Sequence, residues 1–141
     1  MKPVSIRSME PTDYDAVIAL WRATPGIGLN DADSRENVAA FLTRNPGHSQ
    51  VADSESGIVG AVLCGHDGRR GYLHHLAVAA TWRRQGLGRR LTEAALASLA
   101  PAGIAKCHLF IFRDNREGIA YWTHNGWSLR DHLHIASYDL I

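Results

Sequence analysis

The sequence is poor in cysteine, in net charge and in long apolar runs. Its two cysteines, Cys64 and Cys107, form neither a Cys-x-x-Cys motif nor a disulfide framework, so we expect free, buried thiols. The formal net charge of +1 gives no support for bulk nucleic-acid binding, which needs a clearly basic face. No apolar run approaches the roughly 18 residues of a membrane span, and the charged first twenty residues lack a signal-peptide core. Together these absences predict a cytoplasmic protein that binds neither nucleic acid nor membrane.

What remains is ordinary globular composition. Hydrophobic residues make up 45% and charged residues 21% of the 141 residues, values that argue against disorder. The length fits one compact domain, residues 1–141, with one core and no linker.

The hydrophobic periodicity changes along the chain and predicts an alternation of strands and helices. A strand precedes two amphipathic helices, whose apolar faces carry Val17, Leu20 and Trp21 and then Val38, Phe41 and Leu42. Thr12 or Asp13 can cap the first helix and Asp33 or Ser34 the second. Three short runs separated by turn residues then predict an antiparallel meander. The predicted strands are 3–9, 49–53, 57–67, 71–79 and 105–112, with one or two more within 128–141. A turn followed by a helix is predicted within 10–24, and further helices over 32–45, 86–100 and 115–127.

Two of these segments carry a more specific expectation. The helix over 86–100 places Leu87, Leu91, Ala95 and Leu99 on one stripe. The segment "AKCHLFIF", residues 105–112, is almost continuously apolar, which predicts a strand buried on both faces.

The segment "TWRRQGLGRRL", residues 81–91, crowds four arginines around two glycines at the start of a predicted helix. The N-terminus of a helix has unpaired N–H groups and a partial positive charge, so cations there are unfavourable unless an anion is bound. Gly86 and Gly88 would let backbone amides approach such an anion closely. The alternative is that the arginines are solvated and that Arg89 and Arg90 pair with Glu93. The segment matches neither a P-loop nor a dinucleotide-binding fingerprint.

Arg83, Gly86 and Gly88 match the pattern Arg/Gln-x-x-Gly-x-Gly/Ala, and this segment therefore resembles the acyl-coenzyme A signature of the GNAT family of N-acetyltransferases. A second family feature follows downstream, an asparagine followed by an aromatic pair and then by glycine and an aromatic residue. It is met by Asn115, Tyr121, Trp122, Gly126 and Trp127. The resemblance to small bacterial members implies an α+β (three-layer α/β) fold, with a mixed, mostly antiparallel central sheet flanked by about four helices.

The resemblance further implies acetyl-CoA as co-substrate, without a metal. In this family a strand splays away from its neighbour to admit the pantetheine arm, and the following loop and helix start hold the pyrophosphate. The Leu76 N–H would polarise the thioester carbonyl. Carried over residue by residue, the implied cofactor-binding residues are Leu76, Ala77, Val78, Arg83, Arg84, Gln85, Gly86, Leu87, Gly88, Arg89, Asn115, Tyr121 and Trp122.

The implied reaction is direct attack by a primary amine of a small molecule or peptide on the thioester in a ternary complex. The chain departs from the family at two positions. Trp122 stands where many members have a tyrosine acid, and Phe110 stands where some have a glutamate base. These departures keep open an alternative, a non-catalytic acyl-CoA-binding or regulatory protein. The sequence also leaves a homodimer open.

His74 is the first candidate for the catalytic base or water relay, because strand alternation places it on the face of Tyr72 and Leu76. The alternative is that His74 and His75 are a partly buried, hydrogen-bonded pair. Adjacent strand residues point to opposite faces, which argues against a shared metal ion.

The loop "TPGIGLNDAD", residues 24–33, is the candidate acceptor loop. Its polar residues Asn30, Asp31 and Asp33 could bind a cationic amine. Helix capping explains the same residues equally well.

Overall fold

The computed structural model of the protein describes residues 3–141. Within them lie five strands and four α-helices in the order β, α, α, β, β, β, α, β, α. The elements are β1 Val4–Ser8, α1 Tyr14–Arg22, α2 Arg35–Arg44, β2 Gln50–Ser54, β3 Gly57–His66, β4 Gly71–Val78, α3 Leu87–Leu99, β5 Cys107–Leu109 and α4 Arg116–His124.

The five strands form one mixed sheet in the order β1-β2-β3-β4-β5. The first four pair antiparallel, as expected of strands joined by short turns, and β5 runs parallel to β4. A parallel neighbour requires a crossover, and the α3 segment provides it. The predicted mixed, mostly antiparallel sheet with about four helices is confirmed.

Strand β3 separates two apolar layers, because its side chains alternate between the faces of the sheet. Ala61 and Leu63 belong to the core formed with α1 and α2. On the other face, a Cβ at Gly60 would meet Leu91 of α3, and the Cys64 thiol lies against the Ala95 carbonyl of that helix. The sheet is therefore covered by α1 and α2 on one face and by α3 on the other.

The apolar stripes predicted from the sequence are largely the buried ones. Leu87, Leu91, Ala95 and Leu99 are all buried along α3, and Trp21 and Val38 are buried on α1 and α2. Leu20 and Phe41 are partly buried and pack against the same core. Both cysteines are free; Cys64 is buried and Cys107 half-buried.

The helix caps follow local chemistry. Ser34 caps α2 by accepting a hydrogen bond from the Asn37 N–H. Asp13 precedes α1 but makes no side-chain cap of that helix. Its carboxylate instead accepts the Glu10 N–H and two hydrogen bonds from the Arg7 guanidinium. Asp13 therefore joins β1 to the turn before α1.

Contacts divide the chain into two compact units, the first ending at Phe110 and the second running from Ile111 to Ile141. The first contains the whole sheet and helices α1 to α3, and the second contains α4. The single domain over residues 1–141 stays a prediction.

The sequence prediction was wrong in two places. The apolar segment 105–112 forms a strand only over Cys107–Leu109, whose residues are half-buried, and Phe110 and Phe112 are 60% and 59% exposed. It is β3, not this segment, that is buried on both faces. The predicted strands within 128–141 do not form, since the described chain has no regular element after α4. Alternating apolar residues favour a strand, but a strand also needs a neighbouring strand for its N–H and C=O groups. The second unit, taken by itself, offers none.

Candidate active site

The start of α3 presents backbone N–H groups to open space. Gly86 precedes the helix in the left-handed conformation, with φ of 77°, and no described side chain caps the helix. A Cβ at Gly86 would meet nothing within 4 Å. The amides of Leu87, Gly88 and Arg89 begin the helix without a partner from the preceding turn. An uncapped helix N-terminus with room in front of it is suited to an anion, since its N–H groups and its dipole both attract negative charge.

The four arginines of this segment make different contacts. The Arg83 Nε donates to the Val78 carbonyl at 3.0 Å, and Arg89 forms an exposed i,i+4 ion pair with Glu93 at 3.3 Å. Arg90 donates to the Val4 carbonyl at 3.1 Å. Arg84, which is exposed, has a positive φ of 62°. The pairing alternative is thus confirmed for Arg89, while Arg90 bonds the backbone of β1 instead of Glu93.

Strand β4 has one open edge beyond its first three residues. Gly71, Tyr72 and Leu73 pair with Cys107, His108 and Leu109 of β5. From His74 to Val78 no strand in the described chain pairs with β4 on the β5 side, whereas pairing with β3 continues to the Gly60–Val78 pair. The pairing of β4 with β5 therefore ends at Leu73.

The open edge exposes particular backbone groups. The Ala79 N–H bonds the Val59 carbonyl of β3, and backbone groups in a strand alternate between its two edges. Val78 and Leu76 therefore direct their N–H groups toward the open edge. The Val78 carbonyl on that edge is already bonded to Arg83, so its N–H is the group left for a ligand. Ala77 lies opposite Ala61 in the β3 register.

The β3–β4 register shifts between Ala61 and Leu63, which creates a β-bulge in β4. His75 lies in this bulge with φ of 57°. A left-handed conformation at a residue other than glycine costs about 1–3 kcal/mol and persists only when its surroundings hold it. The bulge interrupts the regular alternation of side chains along β4. The prediction that His74 and Leu76 lie on one face of the sheet depends on that alternation.

His75 is held in the bulge by a buried carboxylate. Its Nε2 lies 2.9 Å from Asp33 Oδ1, and its ring contacts the edge of Trp21 with centroids 5.0 Å apart. The exposed fractions of the His75 and Asp33 side chains are 20% and 7%. The Trp21 Nε1 is buried and has no hydrogen-bond partner among the described residues.

Asp33 is fixed by further bonds within the predicted acceptor loop. Its Oδ2 accepts the Asn30 N–H at 3.1 Å, and its carbonyl accepts the Tyr14 hydroxyl at 2.6 Å. Asn30 accepts the Ala32 N–H at 2.8 Å. The capping interpretation of Asn30 and Asp33 is therefore confirmed, and Asp31 is exposed. Sequence reasoning missed that Asp33 also bonds His75, because no local pattern links residues 42 positions apart.

His74 lies among aromatic rings. It stacks on Tyr72 with centroids 6.4 Å apart and contacts Phe41 and Phe110, each at 6.2 Å. Burial lowers the pKa of His74 below its usual value, with a further lowering from His75 and an opposing effect of Asp33. The two histidine rings are 6.4 Å apart. Both histidines are half-buried, as predicted by the alternative that they form a partly buried pair. The hydrogen bond of His75, however, is to Asp33 and not to His74.

The second unit holds the remaining candidates. Asn115 caps α4 by accepting the Gly118 N–H at 2.9 Å. The Trp122 ring contacts Tyr121 and Trp127, each with centroids 5.1 Å apart. Tyr121 is 38% exposed.

No three His, Cys, Asp or Glu side chains within residues 3–141 are grouped so that they could hold a metal ion. None of the helices that the structure describes is both long and apolar enough to serve as a transmembrane segment.

Comparison with known proteins identifies the family. The model of the acetyltransferase (GNAT) family matches residues 14–127. An acetyltransferase of Pectobacterium atrosepticum is 31% identical over 113 residues, which cover 79% of each chain. An acetyltransferase of Yersinia enterocolitica is 26% identical over 129 residues, covering 91% of this chain and 90% of its own.

Solved structures agree on the fold. The PaiA N-acetyltransferase of Thermoplasma acidophilum, in complex with coenzyme A, superposes with a TM-score of 0.79 at 19% identity and covers 92% of both chains. The aminoglycoside N-acetyltransferase AAC(6')-Iy, also with CoA, gives a TM-score of 0.75 at 15% identity, covering 99% of this chain and 95% of its own. The chain therefore belongs to the GNAT family of acetyltransferases and is an acetyl-CoA-dependent N-acetyltransferase.

Proposed function

We propose that acetyl-CoA binds with its pyrophosphate on the amides at the start of α3 and with its pantetheine arm along the open edge of β4. The observation that carries this proposal is an uncapped helix N-terminus that follows, after the loop of residues 79–86, a strand with an unpaired edge. Amide N–H groups bind phosphate oxygens, and the unpaired strand edge offers the hydrogen bonds that an amide-containing arm requires. Leu76, Ala77 and Val78 form the strand part of this site.

The loop residues have distinct parts in the proposal. Arg83 positions the loop against Val78 and directs its remaining guanidinium N–H groups to the pyrophosphate. Gly86, Leu87 and Gly88 contribute backbone amides, and Gly86 adds the space that a side chain would fill. Arg84, Gln85 and Arg89, all exposed, surround the same phosphate groups.

For the second unit, we propose that Asn115, Tyr121 and Trp122 keep the cofactor-binding role that the family resemblance implies. The Asn115 oxygen is bonded to the Gly118 N–H, so its amide nitrogen is the atom left for the ligand. Trp122 cannot protonate a thiolate, because an indole N–H donates a hydrogen bond without ionising in this range. The coenzyme A thiolate is therefore proposed to leave without a proton from Trp122. The attacking nitrogen loses its second proton to solvent as the amide forms, and the thiolate is protonated from solvent.

The chemical step is direct attack of a neutral amine on the thioester carbonyl. The Leu76 N–H donates a hydrogen bond to the carbonyl oxygen as negative charge develops on it, an effect of about 3 kcal/mol on the barrier. His74 takes the proton that the acceptor ammonium loses. The lowered pKa of His74 keeps its imidazole neutral at pH 7, which is the form that accepts a proton.

The acceptor is proposed to be a primary amine of a small molecule or peptide that binds beside residues 24–33. An open cavity of about 240 Å³ lies there, with Tyr14, Arg22, Leu29 and Asp33 in its lining. A cytoplasmic location completes the proposal, since both thiols are free and free thiols persist in a reducing compartment.

The test combines binding and turnover. Calorimetric titration with acetyl-CoA should give saturable binding, and a panel of polyamines, aminoglycosides, amino acids and peptides should include an acceptor that releases free coenzyme A with time. Mass spectrometry of the product should show one added acetyl group on nitrogen. Cofactor binding without turnover of any amine would contradict the catalytic assignment.

A further inference from the structure

We propose that His75 and Asp33 form the end of a proton route, in which His75 receives from His74 the proton of the acceptor ammonium and Asp33 stabilises the resulting imidazolium. The proposal rests on the proposed function, because it takes His74 as the first proton acceptor. It adds two residues that the cofactor site does not involve.

The bulge is the first observation behind this route. His75 interrupts a paired strand with a left-handed backbone, and backbone strain of this kind concentrates at functional sites. A regular strand would direct His74 and His75 to opposite faces of the sheet. The bulge instead leaves the two rings 6.4 Å apart.

The second observation is that the Asp33 carboxylate is buried and bonded to His75. Its side chain is 7% exposed, and each of its oxygens has a partner, His75 for Oδ1 and the Asn30 N–H for Oδ2. A carboxylate fixed against an imidazole attracts its cationic form and fixes its orientation. The Nδ1 of His75 has no hydrogen-bond partner within the described chain, so it is the atom through which a proton can arrive.

The third observation concerns the groups around the two imidazoles. His74 faces Tyr72 of its own strand, Phe41 of α2 and Phe110. His75 faces Trp21 of α1 and Asp33. Tyr14 of α1 donates its hydroxyl to the Asp33 carbonyl. The titratable groups at this position are therefore Tyr14, Tyr72, Asp33 and the two imidazoles themselves. Both His75 and Asp33 influence the pKa of His74, in opposite directions.

The route conserves atoms and charge. One N–H bond of the ammonium breaks as an N–H bond forms on His74. Ring centroids 6.4 Å apart are too distant for a direct bond between the rings, so one water molecule relays the proton to His75. His75 returns the proton to solvent after coenzyme A has left. No oxidation or reduction takes place.

Three variants separate the route from structural support. Asp33→Asn keeps an oxygen for the Asn30 N–H and removes the charge. His75→Asn tolerates a positive φ, keeps a donor for Asp33 and cannot carry the proton. His48→Asn is the control, because it replaces a half-buried imidazole that bonds Ser98 and takes no part in the proposed cofactor or acceptor site.

Two measurements decide the outcome. In an NMR titration of the His74 ring, Asp33→Asn should lower the pKa of His74 further, whereas His75→Asn should raise it. At pH 7, both variants should lose about tenfold or more in kcat, with unchanged affinity for acetyl-CoA. The loss should shrink at a pH where the acceptor amine is already neutral. His48→Asn should match the wild type in both measurements.

The proposal is overturned if His75→Asn leaves both the His74 titration and kcat as in the wild type. It is equally overturned if His48→Asn causes the same loss of kcat as His75→Asn, which would reduce the effect of His75 to the loss of a half-buried imidazole. Failure of the proposed function would give a distinct result, because the wild type would then acetylate none of the amines tested.

Discussion

Arg83 and Val78 are joined by a hydrogen bond of 3.0 Å from the guanidinium Nε to the backbone carbonyl. The bond joins two residues five positions apart and fixes the loop of residues 79–86 to the end of the open edge of β4. The side chain that begins the acyl-CoA signature thus also positions the two parts of the proposed cofactor site relative to each other.

We expect Arg83→Lys to weaken acetyl-CoA binding even though the charge is kept. Lysine lacks both the Nε–H and the planar guanidinium group of arginine. It therefore cannot hold the loop against the Val78 carbonyl and contact the pyrophosphate at the same time. The dissociation constant measured by calorimetry should rise about 3- to 10-fold, which corresponds to about 1 kcal/mol. Arg90→Lys, in the first turn of α3 and bonded to Val4, serves as the matched control. Equal effects of the two substitutions would contradict a positioning role for Arg83.

Gly86→Val should abolish most of the cofactor affinity, because its side chain would enter the space in front of the α3 amides. The backbone strain of the substitution needs its own control, since φ at Gly86 is 77°. Gly103 has nearly the same φ, 78°, and equally open surroundings, but lies at the other end of α3. We expect similar losses of stability for Gly86→Val and Gly103→Val in thermal unfolding. Only Gly86→Val should raise the dissociation constant, by about tenfold or more; equal affinities would contradict the placement of the pyrophosphate.

Asp13→Asn should destabilise the protein in a pH-dependent manner. Arg7 holds the pKa of Asp13 below its usual value through paired hydrogen bonds. A lowered folded-state pKa gives stability that is present above the unfolded pKa and is lost as pH falls through the folded pKa. Because Arg7 is partly exposed, we expect a loss of about 1–2 kcal/mol at pH 7.

Urea unfolding followed by tryptophan fluorescence at decreasing pH tests this expectation. The difference between Asp13→Asn and the wild type should shrink as Asp13 becomes protonated in both states. Asp53→Asn, which removes a more exposed single contact to Arg7, should have a smaller effect. A difference that stays constant down to acidic pH would exclude the charge of Asp13 as its cause.

The two cysteines should be nearly inert in the native protein. Burial raises the pKa of the Cys64 thiol to about 12 and that of Cys107 to about 11. At pH 8 only about one Cys64 thiol in ten thousand would be ionised, and the thiolate is the reactive form. A disulfide reagent should therefore label the native protein far more slowly than free cysteine and should label two thiols per chain in urea. Fast labelling of Cys64 in the native protein would contradict its burial.

Local chemistry made most of the elements predictable. The period-3.6 stripe of α3, the turn residues of the meander and the Ser34 cap each depend on neighbours within a few positions, and all three are confirmed. The two failures concern strands. Whether residues 110–112 and 128–141 pair depends on a partner strand elsewhere in the chain, and no local pattern contains that information.

The candidate site divides in the same way. Arg83, Gly86 and Gly88 could be proposed from the sequence because phosphate binding at a helix start needs small residues and N–H groups at fixed spacing. Sequence alone could not predict the β-bulge at His75, since the flanking residues read as a regular strand. Sequence alone also could not predict the bond between His75 and Asp33. Helix capping is enough to explain an aspartate at position 33, so nothing in the sequence indicates a second partner.

The sequence by itself determined the family, the order of the helices and most of the strands, and the segment proposed to bind the pyrophosphate. Each of these depends on residue types at short spacing, where backbone preference and hydrophobic periodicity act. Only the tertiary structure decided which edge of β4 stays open, where the strand bulges and which carboxylate meets His75. Those features arise from the register of strands and the packing of distant segments, whose energies depend on contacts that no single stretch of sequence contains.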